Sequence, residues 1–455
     1  MLRANSRLRT RLEDTGCEFL KFAAQAINRI LPHVKVTSWT ESGWKNPGAI
    51  WDSSKRTSIR VTISIGPKGN PQSRSLTAQV KRRRLPALGG SASKTLDSRE
   101  HDICKRIAHR ISEVLNVQPE EGNNASLRAI RNAFDEHVLA EHVEEYHRLK
   151  MSLSTLLAAL HTLSEQSYEN KALTFGCILE PETKGSGLGA EFPSDFLNVK
   201  RYKALSDGFR TAYLISANGT VLDFVDLDRF GKKELTEKHY YPDWAEPVAK
   251  ASRDNRCGIA LSRQGDILIF EEGTLRFTYR YGKWQYWNHS HLVHLLRDRA
   301  RAQRVPTRVL GRVVGAIYRA ALDVSFRRSG GLFVILHNKN SVHDVVRYGD
   351  AIDDSDRSPL DKEFDEVIRN KSIQSLPRVI AVELASLDGA IVLENKGQML
   401  AYGAVLQPKK SGHVRGSEGS RTKAAIGASN YGLAIKVSSD GDITVYFEGQ
   451  EFIRM

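Results

Sequence analysis

The sequence predicts an α/β protein of more than one domain, and three observations lead there. The chain has 455 residues, more than one hydrophobic core usually organises, so two or three domains are expected. Its 40% hydrophobic and 26% charged residues are ordinary for a globular chain. Helical and strand periodicities alternate along it. The clearest case lies near the C-terminus, where a helix-period segment (313–328) feeds an apolar stretch, Gly331-Leu332-Phe333-Val334-Ile335-Leu336.

The first region, 1–122, reads as an α+β domain. From Glu13 to Leu31 the apolar residues Phe19, Leu20, Phe22, Ala23, Ala26, Ile27, Ile30 and Leu31 recur at helical spacing, and Pro32 closes the helix. His33 to Thr40 and Ser58 to Ile65 alternate as strands do. Trp39, Trp44 and Trp51 lie in the loop between them. They suit base stacking, but filling a small core is the reading favoured here. Lys81-Arg82-Arg83-Arg84, followed by Leu-Pro-Ala-Leu-Gly-Gly-Ser, is the candidate nucleic-acid contact, although most such runs are simply solvated.

Arg99 to Leu115 and Ala125 to Ser164 read as long helices. Residues 123–170 are therefore expected to form a helical connector or a dimerisation element. His137, Glu141 and Glu145 share one helix face, which is read as charged and solvated rather than metal-binding.

The third region, 171–300, is β-rich. Ala172 to Leu179 is an apolar strand, and Asp207-Gly208-Phe209 opens a hairpin, Thr211–Ile215 and Val221–Val225, about the Asn218-Gly219 turn. Cys257 to Phe270 reads as a strand, a turn and a strand. Lys184-Gly185-Ser186-Gly187-Leu188-Gly189 is Gly-rich but is not a P-loop, because no Gly-Lys-Ser/Thr follows.

The last region, 306–455, carries the candidate chemistry. Asp388-Gly389-Ala390 enters an apolar run, Ile391 to Leu393. After the turn at Glu394-Asn395-Lys396-Gly397, Met399 to Leu406 completes a hairpin. A carboxylate followed by two very small residues leaves room for a ligand beside the backbone. A Lys-, Gly- and Ser-rich loop then leads to Gly419-Ser420-Arg421-Thr422-Lys423-Ala424-Ala425, where two cations and a hydroxyl stand at the start of a helix. Helix N-termini gather phosphate oxygens through their unpaired N–H groups. Strands Gly432–Val437 and Ile443–Phe447 flank the final Ser-Asp-Gly-Asp turn.

These residues resemble the diadenylate cyclase (DAC) domain, which in its active members joins two ATP molecules into cyclic di-AMP. That family carries an Asp-Gly-Ala motif and, further on, Gly-Thr-Arg-His-Arg-Ala-Ala. The first motif is matched in full at Asp388, Gly389 and Ala390. The second is matched with Ser420 for Thr, Thr422 for His and Lys423 for Arg. Leu387 also stands where active relatives usually place a His. The resemblance implies a mixed sheet flanked by helices from Pro306 to the C-terminus, with both motifs at one cleft. It implies that Asp388 orients or deprotonates a ribose 3′-hydroxyl while Gly389 and Ala390 pass close to the nucleotide. Gly419, Ser420, Arg421, Thr422 and Lys423 would then hold the triphosphate, with Mg²⁺ or Mn²⁺ shielding the leaving pyrophosphate. Ring closure needs two sites face to face, which implies a homo-oligomer through this domain. The element order of 171–300 parallels that of the last region, so that segment is expected to be a decayed internal copy.

The function expected is therefore a diadenylate cyclase-type nucleotidyltransferase. A catalytically silent nucleotide sensor and a nucleic-acid-binding protein acting through its basic N-terminal region are the alternatives. The net charge of +14 fits an anionic partner in each case. No apolar run approaches the roughly 18 residues of a membrane span, and the basic start of the chain lacks the apolar core of a secretory signal. Cys17, Cys104, Cys177 and Cys257 are scattered singly, which fits a reducing cytoplasm.

Overall fold

The computed structural model describes residues 20–37, 39–52, 54, 56–65, 68–69, 73–82, 95–116, 124–181, 192, 205–231, 235–368, 371–409 and 419–455. The Gly-rich loop at 184–189, Arg83 and Arg84, and most of the loop before Gly419 lie outside them. The chain is a mixed α/β protein in two compact units. The first takes the described residues within 1–83, 94–239 and 244–287, and the second those within 240–243 and 288–455.

In the first unit, residues 20–30 form helix α1, with Ala23, Ala26, Ile27 and Ile30 buried along one face. Strands β1 (Val34–Val36), β2 (Thr40–Gly43), β3 (Gly48–Trp51), β4 (Ser58–Ile65) and β5 (Arg74–Arg82) make an antiparallel sheet in the order β1-β5-β4-β3, with β2 also on β5. Alternate residues of β4 (Ile59, Val61 and Ile63) are buried, and helix α2 (Ser98–Asn116) covers β3 and β4. The long helix expected over 125–164 is two helices, α3 (Asn124–His147) and α4 (Leu153–Ser164). Arg148 turns left-handed at φ 56° to break them, and Ser152 caps the second.

The ribbon β6 (Ser167–Tyr168) and β7 (Lys171–Ala172) precedes a larger sheet. This sheet comprises β8 (Phe175–Glu180), β9 (Thr211–Ser216), β10 (Val221–Asp226), β11 (Cys257–Leu261), β12 (Ile267–Glu271), β13 (Thr274–Arg280) and β14 (Lys283–Tyr286). Its order is β10-β9-β8-β11-β12-β13-β14, and helix α5 (Glu246–Ala251) packs on β8, β11 and β12.

These parts do not divide at 122, 170 and 300 as the sequence led us to expect. One continuous apolar core runs from Phe22 to Tyr286. Buried charges cross the expected boundaries as well. The Glu271 carboxylate on β12 accepts a hydrogen bond from Arg99 Nε of α2 at 2.9 Å, with His147 Nε2 of α3 at 3.5 Å. Helices 124–164 are thus part of a core and not a connector.

Arg82 also departs from expectation. It is buried, and its guanidinium binds the Glu100 carboxylate and the Thr95 carbonyl, so it is not a surface cation for a phosphate backbone; Lys81 beside it is exposed. Trp39 and Trp51 pack against the core, Trp51 stacking on His101 with centroids 4.8 Å apart. His137 pairs with Glu141 at 3.2 Å and Glu145 with Arg106 at 2.6 Å. Among the described residues no group of three or more His, Cys, Asp or Glu is placed to hold a metal ion.

The main segment of the second unit starts at residue 288, ahead of the expected Pro306, and helix α6 (His289–Ala302) there packs on α7 (Thr307–Arg327). Strand β15 (Gly331–Leu336) follows, then helices α8 (Pro359–Ile368) and α9 (Arg378–Ser386). The hairpin β16 (Ala390–Leu393) and β17 (Met399–Ala404), helix α10 (Ser420–Ala428), and strands β18 (Gly432–Val437), β19 (Ile443–Phe447) and β20 (Gln450–Arg454) complete it. The sheet order is β17-β16-β15-β18-β19-β20, parallel between β15 and β16 and antiparallel elsewhere. Leu332, Val334 and Leu336 pack with Ala425, Ile426 and Ala428 of α10. Among the described residues no helix is long and apolar enough to cross a membrane.

Candidate nucleotide site

Two segments from different parts of the second unit build the site. The first is the turn from α9 into β16. Gly389 takes φ +146°, and a Cβ there would stand 2.2 Å from the carbonyl carbon of Gly403 on β17. The glycine is therefore required by the crossing strand, whatever else approaches it. Ala390 is 2% exposed and paired with Ala404, so its methyl belongs to the core and only its backbone faces outward chemistry. This tight, buried entry leaves Asp388 with a fully exposed carboxylate and Leu387 half uncovered.

The second segment is the start of α10. Gly419 occupies the N-cap without a side-chain cap, and no acidic residue lies in the first turn. Arg421 and Lys423 there face the positive end of the helix dipole, an arrangement that an anion would stabilise. Ser420 and Lys423 are exposed and Arg421 is one-third exposed.

The two segments meet, with Arg421 Nη2 3.6 Å from Asp388 Oδ1. Arg421 also lies against Gly330, which has φ +72° and where a Cβ would come 2.4 Å from Nη1. Ser329 Oγ and Ser386 Oγ are 3.0 Å apart, tying the loop before β15 to the end of α9 that leads to Asp388. Lys436 Nζ on β18 donates to Thr422 Oγ1 at 2.9 Å. Burial, reinforced by Arg454, pulls the Lys436 ammonium below the usual lysine range, against the pull of Asp440, Asp442 and Glu451. Ser329, Ser386 and Lys436 escaped the sequence reading, and Gly330 entered it only as the start of a strand. Lys436 left a signal, being the single charge in the apolar strand Gly-Leu-Ala-Ile-Lys-Val.

A second layer fixes β17 beside Gly403. Tyr402 and Arg357 both hydrogen-bond the buried Asp365 of α8, at 2.9 and 3.0 Å. Burial and the Asp365 carboxylate push the Tyr402 hydroxyl up to about 12.

The second unit is thus an α/β domain in which an exposed acid entering one strand stands beside cations opening a helix. Residues 318–451 match the family model described as DAC, the DisA bacterial checkpoint controller nucleotide-binding domain. The C-terminal region of the chain is a DAC domain. Among solved structures, a hypothetical membrane spanning protein from Bacillus cereus is similar at 19% identity, over 36% of this chain and 76% of that one, with a TM-score of 0.24. A double mutant of DacA from Staphylococcus aureus is similar at 21% identity, over 32% of this chain and 90% of that one, with a TM-score of 0.21. No curated protein matches the chain.

Proposed function

We propose that the DAC domain binds ATP and acts as a diadenylate cyclase-type nucleotidyltransferase when the sites of two chains face each other. The observation that carries this reading is the meeting of Asp388 and Arg421 at 3.6 Å, one from each motif. In the proposed reaction the 3′-hydroxyl of each ATP loses its proton to a base and bonds to the α-phosphorus of the other. The α–β phosphoanhydride bond breaks and pyrophosphate leaves, so two ATP give one cyclic di-AMP and two pyrophosphates. In this reading Asp388 orients or deprotonates the hydroxyl. In the same reading Arg421, Lys423, Ser420 and the amides opening α10 hold phosphate oxygens, and Gly389 and Ala390 offer backbone alone.

The exposed Asp388 carboxylate together with substrate phosphates is a donor set that fits Mg²⁺. A bound Mg²⁺ or Mn²⁺ would supply charge neutralisation of the leaving pyrophosphate.

One observation favours the alternative of a silent nucleotide sensor. Thr422, where the family has His, accepts a hydrogen bond from Lys436 through its hydroxyl oxygen. Product analysis after incubating the purified chain with ATP and Mg²⁺ or Mn²⁺ separates the readings. Cyclic di-AMP and pyrophosphate are the expected products. ATP bound but unconverted at any protein concentration would point to the sensor, and absence of ATP binding would overturn both.

A further inference from the structure

The sheet of residues 175–286 and the sheet of the DAC domain share more than an order of elements. Strand for strand, β10-β9-β8-β11-β12-β13 corresponds to β17-β16-β15-β18-β19-β20, with β14 added at one edge. Each contains one parallel pair at the same place, β8 with β9 and β15 with β16, among antiparallel neighbours. The ladder between β12 and β13 shifts register at Ile269/Phe270, and that between β19 and β20 at Val445/Tyr446.

The turns share their backbone hydrogen bonds. Ser262 N bonds to Asp266 O and Gly265 N to Ser262 O, as Ser438 N bonds to Asp442 O and Gly441 N to Ser438 O. Glu272-Gly273 and Glu448-Gly449 both take left-handed φ values, 49° and 76° against 49° and 72°. The serines capping α5 and α10 repeat a whole network. Ser252 O accepts from Glu272 N, and its Oγ accepts from Gly273 N at 3.1 Å and donates to Ala249 O. Ser429 O accepts from Glu448 N, and its Oγ accepts from Gly449 N at 2.9 Å and donates to Ile426 O. Common strand architecture explains a shared order, but not a side-chain network reproduced on a helix cap.

These anchors fix which residues correspond. Counting back from the two capping serines, Arg421, Thr422 and Lys423 fall on Trp244, Ala245 and Glu246. The hairpin turns Ser216–Thr220 and Glu394–Gln398 have the same bonds, Gly219 N to Ser216 O and Gly397 N to Glu394 O. From them, and from the pairs Cys177–Tyr213 and Phe333–Ile391, Asp388 falls on Arg210. Asp207, whose Asp-Gly step looks like the motif in sequence, is a different residue. Its carboxylate accepts from the N–H groups of Phe209, Arg210 and Thr211 and so closes its own turn.

The charges of the site are thus reversed in the first unit: Arg for the acid and Glu for a cation. Helix α5 has six residues with Pro247 in its first turn, too short to act as a phosphate seat.

We propose that residues 153–287 contain a second DAC-type fold that has lost its phosphate site, so that each chain holds one nucleotide triphosphate. Because a cyclic dinucleotide is closed from two nucleotides, the second must be presented by another copy of this chain. This rests on the ATP-binding reading above. The test is equilibrium dialysis of the full chain with radiolabelled α,β-methylene ATP and Mg²⁺; that probe cannot be turned over, because its α–β bridge is not cleavable. One equivalent per chain is expected, unchanged in Glu246→Ala and weakened tenfold or more in Arg421→Ala/Lys423→Ala. Two equivalents per chain, or one whose affinity survives the double substitution while Glu246→Ala alters it, would overturn the inference. No binding at all would instead overturn the ATP reading, and with it the count of one.

Discussion

Arg421 Nη2 lies 3.6 Å from Asp388 Oδ1, joining a helix N-terminus to the exposed turn that opens β16. The Asp388 carboxylate is fully exposed, so solvent screens the pair and its own contribution to stability is small. Its importance is positional, since it brings an acid and a cation from two distant segments to one place.

If the DAC domain binds ATP as proposed, Arg421→Ala/Lys423→Ala should weaken that binding, because these cations would meet ground-state phosphates. Losing charge-assisted hydrogen bonds costs roughly 1.5–3 kcal/mol, or about tenfold to a hundredfold in affinity. Asp388→Ala should leave affinity within a few-fold and abolish turnover. Calorimetry together with product analysis checks both, and unchanged affinity in the double variant would remove the phosphate-binding assignment.

If two chains must meet for ring closure, cyclase activity should rise more steeply than linearly with protein concentration below the dimer dissociation constant. Specific activity that stays flat on dilution, in a chain shown by light scattering to be monomeric, contradicts the intermolecular arrangement.

Gly389→Ala should destabilise the DAC domain apart from any effect on ligand. The added Cβ meets the Gly403 carbonyl carbon at 2.2 Å on a backbone with φ +146°. A loss of about 1–3 kcal/mol or more is expected, read as a lowered Tm without nucleotide. A variant with wild-type Tm would show that the strand crossing is not what demands glycine.

The first unit should be acid-sensitive through Glu271. Burial alone would push this carboxyl up, but His147 and Arg99 hold it down at about 2, against an ordinary 4.5. A lowered folded value contributes stability that is complete above the ordinary range and fades as pH falls from about 4.5 towards 2. Glu271→Gln should cost about 3 kcal/mol at neutral pH by leaving Arg99 buried without its charge partner. It should also flatten the acid limb of the stability profile. A urea titration series between pH 7 and 3 with parallel wild-type and variant curves would refute this.

What the sequence determined was local. Strands Ser58–Ile65, Gly432–Val437 and Ile443–Phe447 were readable from two-residue alternation and short apolar runs, and α7 from helical periodicity. The candidate residues Asp388, Arg421 and Lys423 were readable because an acid before two small residues and cations at a helix start are statements about neighbours in the chain. Tertiary structure decided everything that depends on distant partners. It buried Arg82 against Glu100, merged the connector helices into one core, and split them at Arg148. It brought Lys436 to Thr422, and showed that Asp207 caps its own turn. Sheet register and ion pairing across long separations are set by how whole faces pack, and a one-residue change of register moves every side chain to the other face. A local pattern cannot carry that information.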